Sequence, residues 1–108
     1  MREIKFRSFQ KDGDKSWMYF WKINEIDAML ETDREIMQYT GLKDKNGKEI
    51  YKWDILHEYK ERTAPMAENG IDRTFIVDDI RALDFSPIFC EVIGNIYENE
   101  ELINNQSK

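Results

Sequence analysis

The chain has 108 residues, 41% of them hydrophobic, which suits a single domain over residues 1–108 with one core. A net charge of −6 weighs against a non-specific grip on nucleic acid, which needs clustered Lys and Arg. One cysteine excludes an internal disulfide and a Cys-rich zinc site, and no apolar run approaches the ~20 residues of a membrane span.

The opening segment "MREIKFRSF" lacks the apolar centre of a signal peptide, so a cytoplasmic protein is expected. In it Ile4 and Phe6 alternate with Glu3, Lys5 and Arg7, the period of a strand whose charged side is solvated. Asp12-Gly13 marks a tight turn, because Gly accepts positive φ and Asp bonds its own backbone. "WMYFW", residues 17–21, follows; five consecutive bulky residues read as a strand buried on both faces, or as one with a face open to a partner. Six Phe, five Tyr and three Trp are many for one small core, and this makes Trp17, Tyr19 and Trp21 a candidate interface. Residues 23–31 place Ile23, Ile26 and Leu30 at helical spacing, with Asn24 as a cap.

The most ordered stretch is "MQYTGLKDKNGKEIYKWDIL", residues 37–56. Ile36 to Tyr39 form a short strand candidate, and Gly41 after Thr40 marks a bend or bulge. Asp44-Lys45-Asn46-Gly47 reads as a turn, with Asn46-Gly47 as a two-residue hairpin signal. Beyond it Tyr51, Trp53 and Ile55 alternate with Lys52 and Asp54 as a half-buried strand, Ile50 being an exception. Asp44 is expected to bond backbone in its turn, and Asp54 to lie on the polar face or to brace the hairpin.

Residues 57–73 are polar, contain Pro65 and Gly70, and read as a loop. "RTFIVDDI" resumes as a strand, "DDIRALDFS" as a short helix ended by Pro87, and "IFCEVIGNIY" as a strong strand bent at Gly94. "ENEEL" suggests a closing helical turn.

No residue set calls for catalysis. A nucleophile needs a base and an orienting group. The single histidine, His57, reads as a rim residue, and Cys90 as an inert core thiol between Phe89 and Val92. Adjacent Asp78 and Asp79 point to opposite faces if they lie on a strand, and no calcium loop, phosphate loop or dinucleotide fingerprint is present. With twenty-two Asp and Glu, a carboxylate pair carries no information. Tyr51 and Trp53 could stack single-stranded bases, but the few basic residues near them favour core or subunit contact. No catalytic, cofactor or metal residue is expected.

"MREIKFR", the central stretch and "EVIGNIYENEEL" together resemble the YopX family. The motif that carries the resemblance is Tyr39, Thr40, Gly41, Leu42, Asp44, Asn46, Gly47, Tyr51 and Asp54, with Ile50 and Ile55. The family usually has Gly where Trp53 stands, and often Pro where Glu100 stands. The resemblance implies a protein of phages and prophages, chiefly of Firmicutes, with a β-rich, barrel-like body, an association with oligomers, and no established catalytic residue, cofactor or substrate.

The expected fold is therefore α+β and mainly β, a bent or barrel-like antiparallel sheet with one or two short helices. The expected function is that of a non-enzymatic accessory protein that binds other copies of itself or a host or phage protein. A nucleic-acid-associated regulator using the barrel surface is the alternative.

Overall fold

The computed structural model describes residues 4–31, 36–61, 70–79 and 85–102. Its strands are β1 (Phe6–Asp12), β2 (Lys15–Trp21), β3 (Ile36–Lys43), β4 (Glu49–Tyr51), β5 (Asp54–Lys60), β6 (Ile71–Ile76) and β7 (Cys90–Asn95). They form two antiparallel sheets of order β2-β1-β3-β4 and β6-β5-β7. Only Lys52 and Trp53 separate β4 from β5, so the chain steps from one sheet into the other there. The result is a curled half-barrel, the mainly β architecture the sequence predicts.

The turns follow local chemistry. Gly13 takes a φ of 62° at the first position of the two-residue β1–β2 loop, where Asp12 pairs with Lys15. The β3–β4 turn differs from the two-residue hairpin expected at Asn46-Gly47. Asp44 C=O accepts the Gly47 N–H (3.0 Å), and Gly47 alone is left-handed, with a φ of 82°. That is a three-residue loop built on a type I turn. Gly41, with a φ of 88°, lies in the bulge where β3 slips against β4 between Tyr39 and Lys43. A second bulge at Ile93 shifts β7 against β5 beside Gly94, the bend expected there.

Several expectations are corrected. In β1 polar residues of both faces are buried, Arg7 on one and Ser8 and Gln10 on the other, whereas Ile4 is 66% exposed. Arg7 is drawn in by a distant partner, described below, and Ser8 is covered from β2 by Trp21. The "WMYFW" run is not buried on both faces. As β2 it is an edge strand, and Trp17 (46% exposed) and Phe20 (56%) are open to solvent. Residues 23–31 form a 3-10 turn (Ile23–Glu25) and α1 (Ile26–Leu30), but Ile23 is 82% and Leu30 72% exposed, and Met29 is the buried residue. No side chain caps the 3-10 turn; the Glu25 carboxylate accepts the Lys22 N–H instead of Asn24 acting as the cap. The predicted 57–73 loop is shorter, since β5 runs to Lys60 and β6 starts at Ile71; residues 62–69 lie outside the described residues. Pro87 opens a 3-10 turn (Pro87–Phe89), where its missing N–H costs nothing. The helix expected over "DDIRALDFS" falls largely on residues 80–84, outside the described set. Residues 100–102 are helical, as expected.

Two apolar clusters flank the sheet junction. Ile50, Leu56, Val77 and Cys90 form one, and Met37, Tyr39 and Tyr51 the other, with Met18, Trp53 and Tyr97 packed against it.

Candidate functional site

The central motif is a brace. Asp44 holds its own turn, its Oδ1 accepting N–H bonds from Asn46 and Lys48 (both 2.9 Å). Its Oδ2 accepts the Val92 N–H of β7 (2.9 Å), and Lys45 N–H donates to Cys90 C=O (2.9 Å), so the first-sheet hairpin is pinned to an edge of the second sheet. Burial pushes the Asp44 carboxyl up, but the three N–H donors from Val92, Lys48 and Asn46 win and hold it below the usual carboxylate range. Thr40 Oγ1 donates to Ile50 C=O (2.7 Å) and accepts Leu42 N–H (3.1 Å), satisfying groups that the Gly41 bulge frees. Tyr39 and Tyr51 pack ring to ring at 5.5 Å, which places Tyr51 in the core and ends its reading as a stacking platform.

At the junction sits an ion pair that links β1 to β5. Asp54 is wholly buried, its Oδ1 receiving Arg7 Nη2 and its Oδ2 the Tyr51 N–H (2.7 Å). Asp54 is thus the brace of the sheet step, and not a polar-face residue as the strand alternation suggests. The Arg7 guanidinium also lies over the Tyr51 ring, 4.1 Å from its centroid. Burial pushes the Asp54 carboxyl up to about 6 against the pull of Arg7 and the Tyr51 N–H. Burial, with Glu49 beside it, pushes the Tyr51 hydroxyl up to about 12. Arg7 Nε is buried and has no hydrogen-bond partner among the described residues.

Above this pair opens a cleft of about 380 Å³ between the sheets. Arg7, Met18 and Phe20 line it from the first sheet, Lys48 from the turn, and Val92 to Asn95 from β7. Gly94 belongs to this wall because a side chain there would run into Asn99, whose Oδ1 accepts the Asn95 N–H (3.2 Å). The sequence points to neither Arg7 nor this cleft. A charge in an alternating strand reads as surface, and its partner is 47 positions away.

On the opposite face of β2 lie Trp17, Tyr19 and Trp21. Tyr19 and Trp21 meet edge to face at 4.6 Å, and the Tyr19 hydroxyl donates to Glu25 (2.7 Å). Trp21 Nε1 donates to the buried Ser8 hydroxyl (2.9 Å), so this face partly covers the polar residues of β1. The three side chains share one face of β2, with Trp17 and Tyr19 exposed and Trp21 half-buried.

Cys90 and His57 do not meet. Cys90 pairs with Glu58 and His57 with Glu91, so the two side chains leave opposite faces of the sheet. Cys90 is buried, and burial, with Glu58 nearby, pushes its thiol up to about 11. His57 Nε2 lies 2.7 Å from Asp72 at the surface.

A half-barrel whose longest sequence motif ties two sheets together defines a small β protein built around a structural brace. Residues 1–104 match the profile described as YopX protein, and the chain belongs to that family. It is similar to a solved structure, protein EF1440 from Enterococcus faecalis, with 24% identity over 95% of this chain and 99% of that one, at a TM-score of 0.48. No curated protein matches.

Proposed function

We propose that this protein is a non-enzymatic phage or prophage accessory protein that acts in the bacterial cytoplasm by protein–protein association, with the outer side of β2 as the contact. The exposed aromatic edge strand carries the reading. By register, Lys15, Trp17, Tyr19 and Trp21 turn their backbone groups toward β1, so Ser16, Met18 and Phe20 turn theirs to the free edge. Natural edges are guarded by mid-strand charges, Pro or bulges. Between Lys15 and Lys22 this strand has none, and it has no acidic residue although the chain carries −6.

A second copy fits this edge best. Antiparallel pairing about Met18 would set Trp17 of each copy opposite Tyr19 of the other, a favourable aromatic pair. A foreign protein strand is the other occupant the reading admits. Against the nucleic-acid alternative, the basic residues Lys5 and Arg7 are both paired with carboxylates, Glu49 and Asp54. Light scattering across a tenfold dilution at micromolar concentration tests self-association. The expected result is a mass above 13.0 kDa that Trp17→Asp or Tyr19→Asp reduces to the monomer with the fold retained. A monomer mass throughout would leave β2 to a foreign protein, which capture from infected cells would identify by its loss in the same variants.

A further inference from the structure

We propose that the cleft between the two sheets binds a small organic carboxylate with an apolar or aromatic body. Its size, about 380 Å³, lies at the small end of known ligand sites, which run from about 300 to 1,000 Å³. What selects the ligand is the Arg7 guanidinium and the Lys48 ammonium beside an apolar wall.

Both oxygens of the buried Asp54 are engaged, and the rim carboxylate of Glu98 has one of its two engaged. Asp54 has one oxygen on Arg7 and the other on the Tyr51 N–H. Glu98, at the rim, takes Asn95 Nδ2 on its Oε1 (2.6 Å), and Asn99 gives its side-chain oxygen to the Asn95 N–H. The donors are not committed. Arg7 is engaged by Asp54 through Nη2 alone, and its Nε is a buried N–H without a partner among the described residues. Lys48, at the mouth, makes no salt bridge among the described residues, although its charge acts on Asp44 and Asp54, and the Asn99 NH₂ has no hydrogen-bond partner among the described residues. Nε is closed off from the cleft, but the Arg7 guanidinium lines it with the side chain 9% exposed, and a carboxylate entering the cleft would take a charge-assisted bond from its open edge. Met18, Phe20 and Val92 supply the apolar wall, with Phe20 set edge-on to Tyr51 at 6.3 Å. A neutral apolar molecule would leave the donors unmet, and a bare inorganic anion would leave the wall wet.

Isotope-edited NMR with 3-phenylpropionate as the probe tests the site. Titration to about 10 mM would nearly fill a site with a Kd of about 1 mM. Saturable shifts are expected at the amides of Val92, Ile93, Gly94 and Asn95, and not from 3-phenylpropan-1-ol or acetate at the same concentration. Lys48 and Phe20 are both exposed, so Lys48→Gln and Phe20→Ala should fold, and each should weaken binding by about threefold or more. Trp17→Asp, on the opposite face of β2, should bind the probe unchanged, which separates this site from the association surface. Absence of saturable shifts, equal binding of the alcohol, or indifference to Lys48→Gln would each overturn the proposal.

Discussion

Arg7 and Asp54 show how one pair sets the balance at the centre of a small protein. Taking a carboxylate out of water costs more here than Arg7 returns, and so the Asp54 pKa rises to about 6. A group whose folded pKa is raised contributes stability below its unfolded value that is lost as the pH rises through the folded one. The Asp54 contribution should therefore decline between about pH 4 and about pH 6 and stay flat above, a segment that thermal melting should find missing in Asp54→Asn. Arg7→Met leaves the carboxylate buried and alone. It should cost about 3–5 kcal/mol at neutral pH, by denaturant unfolding, and less under acid conditions where Asp54 can take a proton. Gly47 presents the opposite case, a position with open space but a left-handed backbone. Gly47→Val should lower stability by more than about 1 kcal/mol through backbone strain alone, visible as a lowered melting temperature. Cys90, buried and with a thiol held far from ionisation, should react with a thiol reagent only on unfolding.

Between β4 and β5 the step from sheet to sheet depends on Trp53, which has a φ of 75° and is not a glycine. Its N–H donates to Val77 C=O (2.7 Å) and its C=O accepts the Ile96 N–H (3.1 Å), so the kink is bonded to the residues that directly follow β6 and β7. The side chain packs on the Met37–Tyr39–Tyr51 cluster, with the Lys52 ammonium 4.9 Å above its ring. Packing thus offsets a conformation that costs roughly 1–2 kcal/mol for an L-residue. Trp53→Gly and Trp53→Ala both lose the ring, but only the glycine also loses the strain. Denaturant unfolding should find Trp53→Gly more stable than Trp53→Ala by about 1 kcal/mol, the reverse of their order in an ordinary strand.

At the scale of the molecule, two small clusters and a curled, unclosed sheet leave edges that a closed barrel would not have. The two faces of β2 then divide the surface. Met18 and Phe20 turn toward the cleft, and Trp17 and Tyr19 toward solvent. If β2 pairs with a second copy, the first sheet doubles across a two-fold axis. Higher salt should then leave the association intact or strengthen it, because an interface without acidic residues gains nothing from charge attraction and the −6 of each copy is screened. Light scattering at low and high ionic strength checks this.

Local sequence determined the turns. Gly13, Gly41 and Gly47 each stand where a side chain would strain a left-handed backbone, and the neighbours that form those turns lie within a few residues. It also determined the strand-rich character and the YopX membership, because the motif residues serve nearby backbone: Asp44 its own turn, Thr40 its own bulge. Tertiary structure decided burial. Whether Arg7 faces water depends on a carboxylate 47 residues on, and whether "WMYFW" is core depends on what lies across its second edge. Alternation within a strand gives two faces without saying which is inside. That choice is made by register between strands distant in sequence, and in this chain it put Arg7 of β1 inward and left Trp17 and Phe20 of β2 open to solvent.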